Sequence, residues 1–323
     1  MGPELYYCIA AYNERDNIIG CLDSLAQQKM DLNLETIVCL NGCTDETEKV
    51  VQDAKIQYPK LNVKIIHSRK GKAFAQNAIA KSIEHRDVPL MFVDADVSLD
   101  KDCTRILFEE MHALEKLIVV GAWPVPYKPE GLNPREIFLY KILHMRAFHP
   151  EAEFSVNDVS EYKDYVDARP QRKMSPESEK RSKIYFHGRT FMVRNVSFFY
   201  LPEDVNTADD TFLPNYIHTK YGPGTIRTRF DALAHYKPYL SLSEHYRAYR
   251  RVFWDLDNID KKEEFKESRK MEETTINWRY ILSQGPLVTL QFLTYVSIAG
   301  AEEIVYRIMP KKTLSEVWQY SKK

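Results

Sequence analysis

Hydrophobic and polar positions along the first 125 residues change period repeatedly. Apolar runs of strand length stand at 5–11, 35–40, 63–67, 90–93 and 117–122. Helix-period spacing fills 17–28, 45–57, 72–84 and 102–114 between them. Ile18, Cys21, Leu22 and Leu25 recur at i, i+3, i+4 and i+7, which marks one buried helix face. Val50, Val51, Ala54 and Ile56 do so less regularly, and Thr44 followed by Thr47 and Glu48 predicts a helix start. Strands alternating with helices predict βαβ units around a parallel sheet, whose ligands bind beyond the carboxyl ends of the strands.

The pattern breaks over 151–183. Eight acidic and seven basic residues fall among these 33, with almost no apolar periodicity after Val166. That composition predicts a long mobile loop, either a tolerated insertion or a lid. Strand-like character resumes over 184–194, and the chain turns helical after Ala232. The stretch 259–273 is dense in both charge signs and reads as a solvated helix face. Residues 280–301 carry no charge over 22 positions, diluted by Ser283, Gln284, Gly285, Pro286, Thr289, Gln291, Thr294 and Ser297. A helix beginning at Pro286 would gather Leu287, Leu290, Leu293, Ile298, Ala301, Val305 and Ile308 near one face. Three settings suit that face: packing on the main domain or a twin subunit, a membrane interface, or a span.

Composition narrows the classes. The chain has 323 residues, 44% hydrophobic and 28% charged, which excludes collagen-like, coiled-coil and largely disordered chains. Lys+Arg is 45 against Asp+Glu 46, so nothing here demands a nucleic-acid partner. The five cysteines are odd in number and include no CxxC pair, so neither a disulfide framework nor a zinc knuckle is expected. No basic segment with an apolar stretch precedes the first strand, so a signal peptide is not expected. Together these predict a cytoplasmic protein, peripheral at most to the inner face of a membrane.

Several common sites are missing. No GxGxxG follows the first strand, Gly71-Lys72 lacks the P-loop frame, and there is no HExxH or GxSxG. Four segments remain, and each falls at the carboxyl end of a predicted strand or on the helix that follows one. They are Ala10-Ala11-Tyr12-Asn13-Glu14, Leu40-Asn41-Gly42-Cys43-Thr44-Asp45, Gly71-Lys72-Ala73-Phe74-Ala75-Gln76-Asn77 and Phe92-Val93-Asp94-Ala95-Asp96. They would converge on one crevice. Asp94 and Asp96, two apart after an apolar strand, would point the same way in extended geometry. Two carboxylates there repel unless compensated, and a hard divalent cation that in turn holds a diphosphate fits.

In this order and spacing the four segments resemble family 2 glycosyltransferases of the GT-A fold, strongly over 4–125 and loosely over 184–255. The resemblance implies an α/β GT-A domain over 1–235 and a helical C-terminal region over 236–323. It implies that Ala11, Asn13 and Glu14 line a nucleotide pocket, that Asp45 contacts the base, and that Lys72 and Asn77 border the pocket. Asp94 would face the ribose side and Asp96 an Mn²⁺ or Mg²⁺ ion, with His235 a candidate further metal ligand. Gly188-Arg189-Thr190-Phe191 resembles the family's acceptor-side strand, and Asp209-Asp210 its acidic pair. Asp210 would be the base that takes the acceptor's proton, assisted by Asp209. The processive members' QxxRW is reduced to an arginine in Ala248-Tyr249-Arg250-Arg251-Val252, which argues for non-processive transfer. Arg251 would hold phosphate. The implied reaction is inverting, metal-dependent transfer from a nucleotide diphosphate sugar, UDP before GDP, to a glycan or glycolipid hydroxyl. A non-catalytic nucleotide- or carbohydrate-binding module, a nucleotidyltransferase, and a transferase acting on nucleic acid are the competing readings.

Overall fold

The computed structural model describes residues 2–155, 185–202 and 209–309. The first half reads β1 (Leu5–Ala11), α1 (Ile18–Ala26), β2 (Leu34–Leu40), α2 (Thr47–Gln57), β3 (Val63–His67), α3 (Lys72–Ser82), β4 (Leu90–Asp94), β5 (Val97–Leu99), α4 (Cys103–Ala113) and β6 (Val119–Pro126). Then come α5 (Pro134–Leu143), α6 (Met145–Phe148), β7 (Glu153–Ser155), β8 (Thr190–Val193), α7 (Asp209–Tyr221) and β9 (Ile226–Tyr236). The C-terminal part is α8 (Leu242–Ile259), α9 (Lys266–Met271), β10 (Thr274–Ile276), α10 (Trp278–Ser283) and α11 (Pro286–Ile308).

Eight strands form one sheet in the order β3-β2-β1-β4-β8-β6-β9-β5. β3, β2, β1 and β4 run parallel, and β8 runs antiparallel to both its neighbours. The alternation within β1 explains why its apolar run is continuous. Leu5, Tyr7 and Ile9 fill the core on one side of the sheet, and Tyr6 and Cys8 the core on the other. Val38 and Ile37, and Val93 and Phe92, divide in the same way. Each buried side chain of this kind stabilises the fold by roughly 1.5–3 kcal/mol. Both faces are therefore spent on packing, and only the carboxyl edge of the parallel half is left for chemistry.

The structure amends several sequence expectations. The second helix begins at Thr47, not near Thr44: the Thr44 hydroxyl accepts from Asn13, and the Asp45 carboxylate accepts the Thr47 N–H that opens the helix. The strand expected over 184–194 is shortened to β8, with residue 184 outside the described residues. Within the loop expected over 151–183, residues 153–155 form β7, which pairs antiparallel with β10, while 156–183 lie outside the described residues. The helix expected from Pro286 begins there, after Gly285 at φ 92. The C-terminal part is joined to the sheet domain through α5, α6 and β7. Ile142, Met145 and Ala152 share a small core with Ile281, Phe292 and Tyr295. Among the described residues no helix is long and apolar enough to cross a membrane.

Candidate active site

One wall of the cleft is made by the loops after β1 and β2, which are tied into a single plate. Asn13 takes a left-handed backbone (φ 53), which Asn tolerates better than most residues. Its Oδ1 accepts the Thr44 N–H at 2.8 Å and its Nδ2 donates to the Thr44 hydroxyl at 3.1 Å. The Glu14 N–H donates to the Thr47 hydroxyl at 2.9 Å, and Glu14 Oε2 accepts from Asn17 Nδ2 at 2.7 Å. Asp45 accepts the backbone N–H groups of Thr47 and Arg15. Burial tends to raise the Asp45 pKa, but the bonds from Thr47 and Arg15 leave it below the usual carboxylate value. Ala11 is wholly buried, and its carbonyl accepts the Asn41 N–H at 2.9 Å. It therefore closes the loop rather than presenting a side chain.

The second wall is the first turn of α3. Lys72 and Gln76 lie one turn apart on one side of that helix. The Lys72 ammonium sits 2.7 Å from Asp94 Oδ1 and 3.1 Å from Asp209 Oδ2, and it donates to the Gly188 carbonyl at 3.2 Å. Burial opposes its charge, yet Asp209 and Asp94 hold its pKa above the usual lysine value. Gln76 is 2% exposed and donates to Asp209 Oδ2 at 2.5 Å. Asn77 instead donates to the Leu201 carbonyl at 2.8 Å, anchoring the segment that precedes α7.

The third wall joins residues 187–189 to the start of α7. The Gly188 N–H donates to Asp210 Oδ2 at 3.2 Å, and His187 Nδ1 lies 3.8 Å from the same oxygen. A Cβ on Gly188 would lie 2.7 Å from Asp209 Oδ1 and 2.9 Å from Asp210 Cβ, so only glycine admits this approach. Burial, reinforced by Arg189 and Lys72, pushes the His187 pKa down to about 3, so its ring is neutral near pH 7. The Arg189 carbonyl accepts the Asp94 N–H at 2.9 Å, which fastens this wall to β4. The Asp209 side chain is 3% exposed and that of Asp210 is 21% exposed. The first is locked in its ion pair, and the second can meet a ligand.

The strand geometry expected for Asp94 and Asp96 is amended. β4 ends at Asp94, and Ala95 and Asp96 form a turn before β5. The two charges still feel one another. Burial first, then Asp96 and Asp209, raise the Asp94 pKa to about 6 against the opposing pull of Lys72. Asp94, Asp96 and Asp209 thus gather negative charge in one place, with Lys72 as the cation paired to two of them. No group of three or more His, Cys, Asp or Glu forms a ready ligand set among the described residues. His235 lies on β9 opposite Ser98, with Nε2 2.7 Å from Asp100 Oδ1. Arg251 lies on α8, in the C-terminal part.

Gln76 and His187 were not singled out in the sequence. Gln76 had a signal, a polar residue one turn beyond Lys72 between Ala75 and Ile79. His187 had none beyond standing next to Gly188.

Comparison with known proteins gives the family and the fold. A family model described as "Glycosyl transferase family 2" matches residues 6–194. A teichoic acid poly(glycerol phosphate) polymerase of Staphylococcus epidermidis is 32% identical over 119 residues, 36% of this chain and 16% of that protein. An uncharacterized glycosyltransferase of Bacillus subtilis, YfnE, is 30% identical over 113 residues, 35% of this chain and 28% of that one. The matches thus span less than a third of either relative. Among solved structures, the mannosyltransferase PcManGT of Pyrobaculum calidifontis, in complex with GDP-Man and Mn²⁺, superposes with a TM-score of 0.54 at 16% identity. That match covers 99% of this chain and 79% of that one. Residues 1–349 of TarS from S. aureus give 0.51 at 15% identity, covering 98% and 78%.

Proposed function

The chain belongs to glycosyl transferase family 2 and has the GT-A fold, and from that premise we propose that it moves a sugar from a nucleotide diphosphate sugar to a hydroxyl acceptor with inversion. One observation carries the reading: Lys72 holds Asp94, on the strand end that closes the donor side, and Asp209, beside the acceptor-side base, in one cleft.

In this reading Asn13, Glu14 and Asp45 shape the nucleotide pocket through the tied loops, Ala11 supports them from beneath, and Asn77 borders it. Asp94 addresses the ribose, and Asp96 holds Mn²⁺ or Mg²⁺, with His235 as a further ligand once released from Asp100. The cation supplies positive charge for the diphosphate when bound. Asp210 receives the proton of the acceptor hydroxyl as that oxygen bonds to the anomeric carbon. The bond from that carbon to the diphosphate oxygen breaks in the same displacement, and the diphosphate leaves with the electron pair. Asp209, fixed by Lys72 and Gln76, sets the start of α7 and so the position of Asp210. His187, with Nδ1 3.8 Å from Asp210 Oδ2, is a side chain that could turn an N–H toward Asp210. Arg251 contributes to phosphate binding, and transfer is non-processive.

UDP is preferred to GDP on family frequency, and the acceptor is a glycan or glycolipid. The PcManGT complex with GDP-Man and Mn²⁺ supports the donor class and the metal, but not the choice of base. Calorimetry with UDP and with GDP, each with Mn²⁺ and with a chelator, tests the reading. Binding of one nucleotide that weakens at least tenfold on chelation is expected. Equal affinity after chelation would remove the metal role of Asp96.

A further inference from the structure

We propose that Arg189 grips a phosphate group of the bound substrates in the cleft. The inference deepens the proposed function, on which it rests, by giving a phosphate ligand to a side chain that reading leaves unused. Arg189 stands immediately before β8, and its carbonyl accepts the Asp94 N–H at 2.9 Å. It therefore lies across from the strand end that carries Asp94 and leads to Asp96. Its guanidinium carbon lies 4.0 Å from the centre of the Tyr236 ring, and Nη2 donates to the Tyr239 hydroxyl at 3.1 Å. One ring face and one hydrogen bond thus fix the plane of the group. Both tyrosines are in turn held by His144, which is buried. Burial pushes the His144 pKa down to about 4, so the ring is neutral near pH 7. Its Nε2 accepts the Tyr239 N–H at 3.0 Å, which leaves the ring proton on Nδ1, 2.8 Å from the Tyr236 hydroxyl.

Other arginines that this fold orders meet carboxylates. Arg227 and Arg229 pair with Glu110, Arg146 with Glu153, and Arg269 with Asp260 and Glu272. Half-buried Arg189 makes no ion pair among the described residues, and the Tyr239 hydroxyl takes one N–H of a group that carries five. Burial opposes its charge, yet Tyr239 and then Asp96 hold its pKa above the usual arginine value. The charge is therefore felt at Asp96 without being cancelled by a direct contact. A phosphate entering beside Asp94 and Asp96 would meet charge of its own sign. Lys72 offers it little relief, being committed to Asp94 and Asp209. Arg189 supplies the missing cation, and its rigid planar fork matches two phosphate oxygens, which a point charge does not. The donor's diphosphate and a phosphate borne by the acceptor share this chemistry.

Calorimetry on the full chain with Mn²⁺ separates the two sources, using UDP, GDP, their nucleosides, pyrophosphate and inorganic phosphate. Arg189→Gln is expected to weaken the nucleoside diphosphate that the wild type binds by on the order of ten- to a hundredfold, with nucleoside affinity and melting temperature unchanged. Arg189→Lys keeps the charge without the fork and is expected to recover only part of that loss. Tyr239→Phe removes only the hydroxyl that holds Nη2 and is expected to weaken the diphosphate by a smaller factor. Should Arg189→Gln not fold, these two variants carry the same comparison. Unchanged diphosphate affinity, with inorganic phosphate bound by the nucleotide-saturated wild type and lost in Arg189→Gln, would assign the grip to the acceptor's phosphate. A nucleoside weakened as much as its diphosphate would overturn the proposal, because Arg189 would then only shape the pocket. Equal affinities of wild type and Arg189→Gln for all the phosphate probes would overturn it as well. If the wild type binds neither nucleotide, the donor-site reading fails, and pyrophosphate binding, kept in the wild type and lost in Arg189→Gln or not, decides this proposal separately.

Discussion

Replacing Gly188 with alanine adds one methyl group at the point where the acceptor-side wall meets the start of α7. The new Cβ would lie 2.7 Å from Asp209 Oδ1 and 2.9 Å from Asp210 Cβ, whereas ordinary contact begins near 3.4 Å. One side must therefore retreat by about 0.5–0.7 Å. Asp209 cannot rotate away cheaply, because Gln76 at 2.5 Å and Lys72 at 3.1 Å hold its Oδ2. The strain passes to the helix start and so to Asp210. A misplacement of about 1 Å in a catalytic constellation can cost on the order of 10²-fold, so roughly ten- to a hundredfold is expected in kcat. Overpacking adds about 1–3 kcal/mol of lost stability. The nucleotide loops lie on another wall, so UDP affinity should hold. Released UDP, measured in a phosphatase-coupled assay beside a melting curve and calorimetry, separates these effects. A folded Gly188→Ala protein with kcat within twofold of wild type would refute the reasoning that this approach sets the base.

Two further predictions concern stability. Lys72→Met strips the cation from the partly exposed Asp94 and the buried Asp209 carboxylates, and since breaking a fully buried pair costs roughly 3–5 kcal/mol, a loss of about 1–4 kcal/mol is expected here. Urea unfolding at pH 7 should show that loss, and the loss should shrink as pH falls toward 5 and Asp94, already raised to about 6, takes up a proton. A loss under about 1 kcal/mol would contradict the network. His144 lies between Tyr236 and Tyr239, and burial pushes its pKa down from 6.5 to about 4. Above pH 6.5 the ring is neutral folded or unfolded, so it contributes nothing there. As pH falls from 6.5 to 4 only the unfolded chain gains the proton, so stability drops by up to roughly 3 kcal/mol. The denaturation midpoint of His144→Asn, compared with wild type from pH 7 to 4.5, should show a shallower decline.

The parallel half of the fold was legible because strands buried on both faces leave long apolar runs, and helices packed on them leave a clear 3.6 period. The helical C-terminal start at Pro286 was legible for the same reason. The closing half of the sheet was not. β8 holds only four residues, and its antiparallel insertion between β4 and β6 depends on contacts distant in sequence. Nor did anything in the sequence announce the wholly buried Arg227, paired with Glu110 at 2.9 Å. For the site, motifs at strand ends pointed to side chains that the fold does gather at the carboxyl edge, but the wiring among them depended on side-chain geometry. Asp45 and Asn13 turn toward the loop backbone, and Gln76 rather than Asn77 reaches Asp209. Which way α11 would turn its two faces was likewise invisible, since both are largely uncharged.

The most direct test of the central claim compares Asp210→Asn with Asp209→Asn and Asp96→Asn, reading turnover and donor affinity for each. The amide keeps the shape of the side chain but cannot take the acceptor proton, and a positioned base contributes roughly 10²–10⁴-fold. The account predicts a loss of that size in Asp210→Asn with donor affinity intact. It predicts a smaller loss in Asp209→Asn, and weakened donor binding in Asp96→Asn. Near-normal turnover in Asp210→Asn, or a larger loss in Asp209→Asn, would contradict it.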